Sequence, residues 1–260
     1  MISINLKKGK NIYFSSDNHL GAPNHSESLI REKIFISWLE KVKSDAQVIF
    51  LLGDLFDFWF EYKKVVPKGF VRVLGKIAEI SDNGIPIHFF VGNHDLWMND
   101  YFKKELGVKV YRKPKDFNIM DKTFYIGHGD GLGPYDKGYK IMKKIFTNSF
   151  AKFLYRIIHP DIGIWIGQYF SQKNKILSGE KDINFLGDDK EWLAKYSRKK
   201  LQEKHRDYFI FGHRHLPIEI ELNQNSKYIN LGDWINHYTY GVFDGNKFET
   251  KKWKLLLNND

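Results

Sequence analysis

No cysteine occurs among the 260 residues of the chain, so neither a disulfide nor a thiolate-ligated metal can form, and any ion must be held by His, Asp, Asn or water. The absence suits a reducing cytoplasm. Long apolar runs are also missing. No stretch reaches the ~18 uncharged apolar residues of a membrane span, and the opening MISINLKKGK lacks the apolar core of a signal peptide. There is no low-complexity linker and no internal repeat, so the expected organisation is a single domain over residues 1–260.

The chain does have a folded-protein composition, 42% hydrophobic and 28% charged, with a rich 16% of aromatics. Its formal charge of +10 attracts polyanions, whether nucleic acid, anionic lipid headgroups or phosphorylated substrates. The Lys and Arg residues are scattered and no nucleic-acid reader motif occurs, so nucleic acid is not an expected partner. The charge says nothing about oligomeric state.

The segment NIYFSS at 11–16 predicts a strand, and Leu29, Ile30, Ile34, Phe35, Trp38, Leu39 and Val42 predict an amphipathic helix over 27–43. QVIFLLGD, FVRVLGKIAEI and IPIHFFVG then read as strand, helix and strand, giving β-α-β-α-β. Beyond residue 107 short hairpins predominate: DFNIM and TFYIG flank Asp121-Lys122, followed later by PIEIEL, KYINLGDW and YGVFDGNKF. Residues 133–206 contain no convincing strand and read as a helical insertion. The fold class is therefore α/β, with parallel pairing giving way to mixed pairing.

Four of these strands end in one pattern. FLLGD gives Gly53-Asp54, FFVGNH gives Gly92-Asn93-His94, FYIGH gives Gly127-His128, and FIFGHRH gives Gly212-His213-Arg214-His215. In an α/β sheet such ends gather along one edge, where ligands bind. The first strand adds Asp17 and His19 from SSDNH. Asp-x-His in an extended segment would put both side chains on one side, and His213 and His215 would do the same. Each pattern alone is an ordinary turn with a packed polar residue. Together, Asp17, His19, Asp54, Asn93, His128, His213 and His215 exceed the needs of one tetrahedral zinc and suit two adjacent ions sharing a carboxylate, for which Asp54 is the candidate. His25, His88, His159, His205 and His237 lack this context and read as structural or surface residues.

The series D-x-H, G-D-x-x-D, G-N-H-D, G-H and G-H-x-H, running from Asp17 to His215, resembles the calcineurin-like metallophosphoesterase superfamily. The resemblance implies a two-sheet mixed β-sandwich flanked by helices. It also implies one ion among Asp17, His19, Asp54 and His215 and a second among Asp54, Asn93, His128 and His213, with manganese the usual metal. Two such ions activate a water for attack on phosphorus. His94 would then stabilise the phosphoryl charge or protonate a leaving oxygen. Asp57, Asp95 and Asp130 lie where carboxylates would orient the histidines.

GDLFDFW, GHGDGLGPYDKGY and the helical insertion are further similar to the UDP-2,3-diacylglucosamine pyrophosphatase family of lipid A biosynthesis. That resemblance implies a lid over acyl chains, a lipid-linked nucleotide-sugar substrate, and Trp59, Asp136 and Tyr139 facing its sugar or acyl part. YKIMKKIFTNSFAKFLYRIIHP and IGIWIGQYF mix large apolar residues with cations, a composition suited to peripheral binding at the inner membrane. The lipid A enzymes read G-N-R-D where this chain has His94, the form general phosphoesterases carry. A broad-specificity phosphodiesterase or nucleotide phosphatase is therefore a second reading. A non-catalytic binding module on the same fold is a third, disfavoured by the complete ligand set.

Overall fold

The computed structural model describes residues 1–133, 137–182, 185 and 187–254, and of 137–138 and 172–182 only the helical backbone. In chain order the elements are β1 (Ile2–Ile4), β2 (Asn11–Ser15), α1 (His25–Val42), β3 (Ala46–Leu51), α2 (Val71–Asp82), β4 (Ile87–Phe90), α3 (Tyr101–Lys104), β5 (Lys109–Tyr111), β6 (Lys115–Ile119) and β7 (Lys122–Ile126). There follow α4 (Lys137–Thr147), α5 (Ser149–Ile157), α6 (Pro160–Asp182), α7 (Trp192–Glu203), β8 (Tyr208–Phe211), β9 (Pro217–Asn223), β10 (Ser226–Leu231), β11 (Thr239–Phe243) and β12 (Phe248–Lys252). They form two six-stranded sheets, ordered β1-β6-β7-β8-β10-β9 and β12-β11-β2-β3-β4-β5.

The sandwich follows from period-two burial. Ile12, Phe14, Val48 and Phe50 point inward and meet Phe117, Phe124, Ile126 and Ile210 of the other sheet. The stack of Phe14 on Phe50, with centroids 5.0 Å apart, anchors this layer. The alternate residues Tyr13, Ile49 and Leu51 point outward and are covered by Phe35, Trp38 and Leu39 of α1 and by Val73 and Ile77 of α2. Strands buried on both faces are apolar throughout, which is why QVIFLL shows no alternation. α1 starts where Asn24 caps it, its side chain accepting from the Glu27 N–H at 3.0 Å.

The β-α-β-α-β start and the later hairpins match expectation, with β6–β7, β9–β10 and β11–β12 antiparallel. YGVFDGNKF proves to be two strands turning at Asp244-Gly245. The predicted insertion divides. α7 sends Leu193 and Ala194 into a cluster with Phe209, Phe211 and Tyr228 on the outer face of the first sheet, so it belongs to the body. α4, α5 and α6 stand apart, joined to the body along Phe58, Trp97 and Asp130. α6 can lie against the body because Gly167 has no side chain: a Cβ there would occupy the ring of Phe58.

His88, read as structural, is 2% exposed and packs its ring between Phe50, Tyr111 and Phe117. Burial, with Lys109 adding, pushes its imidazole down to about 4. In the unfolded chain the ring takes up a proton near pH ~6.5. Between those values the unfolded state binds more protons, so stability is fully present above the higher one and is lost as pH falls toward the lower. This residue should therefore withdraw on the order of 3 kcal/mol between neutral and acidic pH. His88→Phe should flatten that part of the pH dependence in urea unfolding; an unchanged dependence contradicts the assignment.

Candidate metal centre

The ends of β3, β4, β7 and β8, which share the glycine pattern, converge with the end of β2. His19 Nε2 lies 3.8 Å from both Asp17 Oδ1 and Asp54 Oδ2, and 3.1 Å from His215 Nε2. His215 Nε2 is 3.4 Å from Asp17 Oδ1. On the other side of Asp54, His128 Nε2 lies 3.2 Å from Oδ2 and 3.1 Å from Asn93 Oδ1. Asp17, His19 and His215 form one group with ligand atoms within 4.8 Å of each other; Asp54, His128 and His213 form another, and His19, Asp54 and His94 a third. Asp54 thus stands between two clusters of imidazoles.

The backbone that achieves this is not the extended segment expected. Asp17 (φ 57°), His19 (φ 47°), Asp54 (φ 52°), His213 (φ 70°) and His215 (φ 55°) all lie in the left-handed region. Non-glycine residues adopt that region at a cost and hold it only where their surroundings fix it. Alternating left-handed residues, rather than strand periodicity, bring i and i+2 to one point. The glycine before Asn93 is needed for space, since a Cβ on Gly92 would collide with the Asp54 carboxylate.

The two carboxylates share a design. Asp17 Oδ2 accepts from Ser16 Oγ at 2.5 Å and from the His213 N–H at 2.9 Å, while Asp54 Oδ1 accepts from the His94 N–H at 2.8 Å. The other oxygens, Asp17 Oδ1 and Asp54 Oδ2, are buried and accept no hydrogen bond. Both face imidazole nitrogens. A buried anionic oxygen without a donor is costly, and a divalent cation is the partner that suits oxygen and imidazole together. The residues therefore fit divalent metal.

Without an ion, the buried groups of the cage shift one another. Burial pushes the Asp17 carboxyl up. Burial would raise Asp54 as well, but the charges of His128 and His94 outweigh it and hold that carboxyl below its ordinary range. Burial likewise opposes a charge on His128, yet Asp54 carries its imidazole up to about 10. His213 is pushed down to about 3 by burial and by the charge of His128, so it keeps a lone pair for coordination.

The surrounding carboxylates have distinct tasks. Asp57 Oδ1 lies 3.3 Å from His19 Nδ1. Asp95 instead ties two ligand loops together, accepting from the N–H groups of Gly92 (2.6 Å) and Leu55 (3.2 Å). Asp130 accepts from Tyr139 Oη and Lys143 Nζ of α4, each at 2.5 Å. Burial and the surrounding charges act oppositely on Asp130, and His128 and Lys143 hold it low. Three further groups escaped the sequence reading. Asp233 Oδ2 lies 3.7 Å from His215 Nδ1, and LGDW repeats the strand-Gly-Asp pattern that could have revealed it. Arg31 donates to the His19 carbonyl at 2.7 Å. Ser171 of α6 donates to Asp57 Oδ2 at 2.8 Å and sits 2.9 Å from His94 Nδ1; no local signal marks it.

Beneath α4–α6 lies a cavity of about 880 Å³. Its floor is Asp57, Asn93, His94 and His213, and its walls include Phe58, Trp97, Met142, Phe146, Ile166 and Phe170. Tyr139 lines it. Trp59 does not: it is fully buried, stacked on Phe56 at 4.4 Å with its indole N–H donating to Glu61, and Phe58 takes the cavity-facing place. The loop sends alternate residues to opposite sides, so the larger ring went to the core. Asp136 lies outside the described residues.

A two-sheet sandwich with a His/Asp cage at its strand ends is the architecture of a metal-dependent phosphoesterase, and the chain belongs to the calcineurin-like phosphoesterase family, whose model matches residues 10–217. Among curated proteins it is similar to the UDP-2,3-diacylglucosamine hydrolase of Porphyromonas gingivalis, 38% identical over 247 residues that cover 90% of this chain and 94% of that protein. It is similar also to the proteins of that name from Shewanella sp. strain W3-18-1 (26% identity; 85% and 88% covered) and Haemophilus influenzae (25%; 88% and 92%).

Gly92→Ala should displace Asp54 and lower Mn²⁺ affinity by roughly tenfold or more. Titration followed by Mn²⁺ electron paramagnetic resonance would measure this, and wild-type affinity in the folded variant contradicts the packing argument.

Proposed function

We propose that this protein is a UDP-2,3-diacylglucosamine hydrolase, cleaving the pyrophosphate with water to give UMP and 2,3-diacylglucosamine 1-phosphate. The cavity carries the reading: its polar floor opens on the His/Asp cage and its walls are apolar, which suits a substrate with a pyrophosphate at one end and acyl chains at the other. The name of the relative at 38% identity supports it.

Asp17, His19, Asp54 and His215 would hold one ion, and Asp54, Asn93, His128 and His213 the other; manganese suits this set of oxygen and imidazole donors. When bound, the ions supply an activated water at neutral pH and neutralise charge developing on the phosphoryl oxygens. His94 Nδ1 lies 2.8 Å from the Asp57 carbonyl, which makes it the protonated nitrogen. Nε2 is then left to exchange a proton with the leaving phosphate. Asp57 and Ser171 hold that ring in place. Tyr139, which lines the cavity, would face the sugar or acyl part of the substrate.

The lid faces outward with Phe150, Phe153, Ile157, Ile162 and Trp165, the last 64% exposed. α4 and α5 carry lysines and an arginine and no acidic residue. Among the described residues no helix is long and apolar enough to cross a membrane. We read this face as a peripheral contact with the anionic inner membrane, from the cytoplasmic side. Phe153→Asp with Trp165→Asp should abolish co-sedimentation with phosphatidylglycerol vesicles, and retained binding removes that role.

With Mn²⁺, the protein should release UMP from UDP-2,3-diacylglucosamine faster than from the acyl-free nucleotide sugar by at least about tenfold. Chelation should abolish both rates. Equal turnover of the two substrates favours the second reading, a broad-specificity phosphodiesterase, which His94 supports because it stands where the lipid A enzymes read arginine.

A further inference from the structure

Arg214 stands between the two candidate ligands His213 and His215, yet it faces away from the cage. It is 7% exposed, and its Nε donates to Glu191 Oε2 at 3.0 Å. Glu191 is 3% exposed and occupies the N-cap position of α7, but its carboxylate caps no helical N–H. It serves Arg214 instead, while its other oxygen accepts from Tyr228 Oη at 3.3 Å. The next residue, Trp192, sets its ring edge-on against His213, centroids 5.8 Å apart. Leu193 reaches the backbone at Gly129, beside His128. The start of α7 thus rests on the loop that presents His213 and His215.

That loop has reason to need a support. Both histidines hold left-handed backbone, at φ 70° and 55°. A turn of that kind directs residues i and i+2 to the cage and the residue between them to the opposite side, where a buried fork-shaped cation meets a buried carboxylate. Buried ion pairs contribute little net stability, but either partner alone would be an uncompensated charge, so the two must be kept together. Arginine suits the task better than lysine, since its planar fork fixes direction as well as charge.

We infer that Glu191 and Arg214 are a positioning pair that fixes the His213–His215 turn in its ion-binding conformation and joins the return end of the helical insertion to the metal centre. The inference rests on the proposed dinuclear centre. Neither residue belongs to the His/Asp groups of the cage or lines the cavity. The pair acts through the backbone of the two histidines, so its loss should weaken ion binding as well as stability.

The test compares Mn²⁺ binding by the full chain, at a temperature well below unfolding, for wild type, Arg214→Lys, Arg214→Met and the double variant Glu191→Gln/Arg214→Met. Arg214→Met strands a buried carboxylate and could fail to fold; the double variant removes both charges and decides the matter in that event. Weaker Mn²⁺ affinity in the folded double variant, by roughly 10- to 100-fold, with partial recovery in Arg214→Lys, supports the inference. Affinity within about twofold of wild type, with only the melting temperature lowered, overturns it and leaves a merely structural ion pair. Wild-type protein that binds no Mn²⁺ overturns the metal-centre reading itself and this inference with it.

Discussion

Two carboxylate oxygens, Asp17 Oδ1 and Asp54 Oδ2, are enclosed by protein without a hydrogen-bond donor, and much of the molecule is arranged around them. A buried anion demands a cationic partner, and the nitrogens of His19, His128 and His215 stand around these oxygens as the co-ligands a divalent cation would need. Their convergence requires strands of two sheets to end at one place. That in turn requires both sheets to be packed tightly enough to resist the repulsion a loosely held set of charges would produce. The stacked aromatic layer between the sheets supplies that rigidity.

The lid shares this dependence. Ser171 reaches Asp57 and His94, and Tyr139 and Lys143 reach Asp130. Each tether runs from a helix above the cavity to a carboxylate beside the cage. The apolar chamber and the polar centre are therefore one continuous structure, with hydrogen bonds setting the height of the roof. A ligand that alters the seating of α6 acts on Asp57, which contacts His19 directly, and on His94.

Much of this was legible in the sequence. A buried strand written as a solid apolar run and halted by glycine and a polar residue is singly an ordinary turn, but four repetitions pointed to one sheet edge. Short elements were less visible: β1 and β5 each have three residues, too few for periodicity to register. The side on which a loop residue falls was not readable either. In FDFWF the cavity went to Phe58 and the core to Trp59, because no strand fixed the parity there. Left-handed backbone at Asp17 and His19 left no compositional trace, since neither residue is glycine. Asp233 was readable but overlooked: LGDW carries the same signature as FLLGD.

The left-handed residues of the cage have a consequence for stability. At Asp17, His19 and Asp54 the native side chain is a poor choice for folding alone, combining an unfavourable torsion with a polar group withdrawn from water. Glycine or asparagine at these positions would relax the torsion and remove the charge. Such a replacement trades the capacity to hold an ion for a more relaxed turn, so the cage is where stability and chemistry compete most directly.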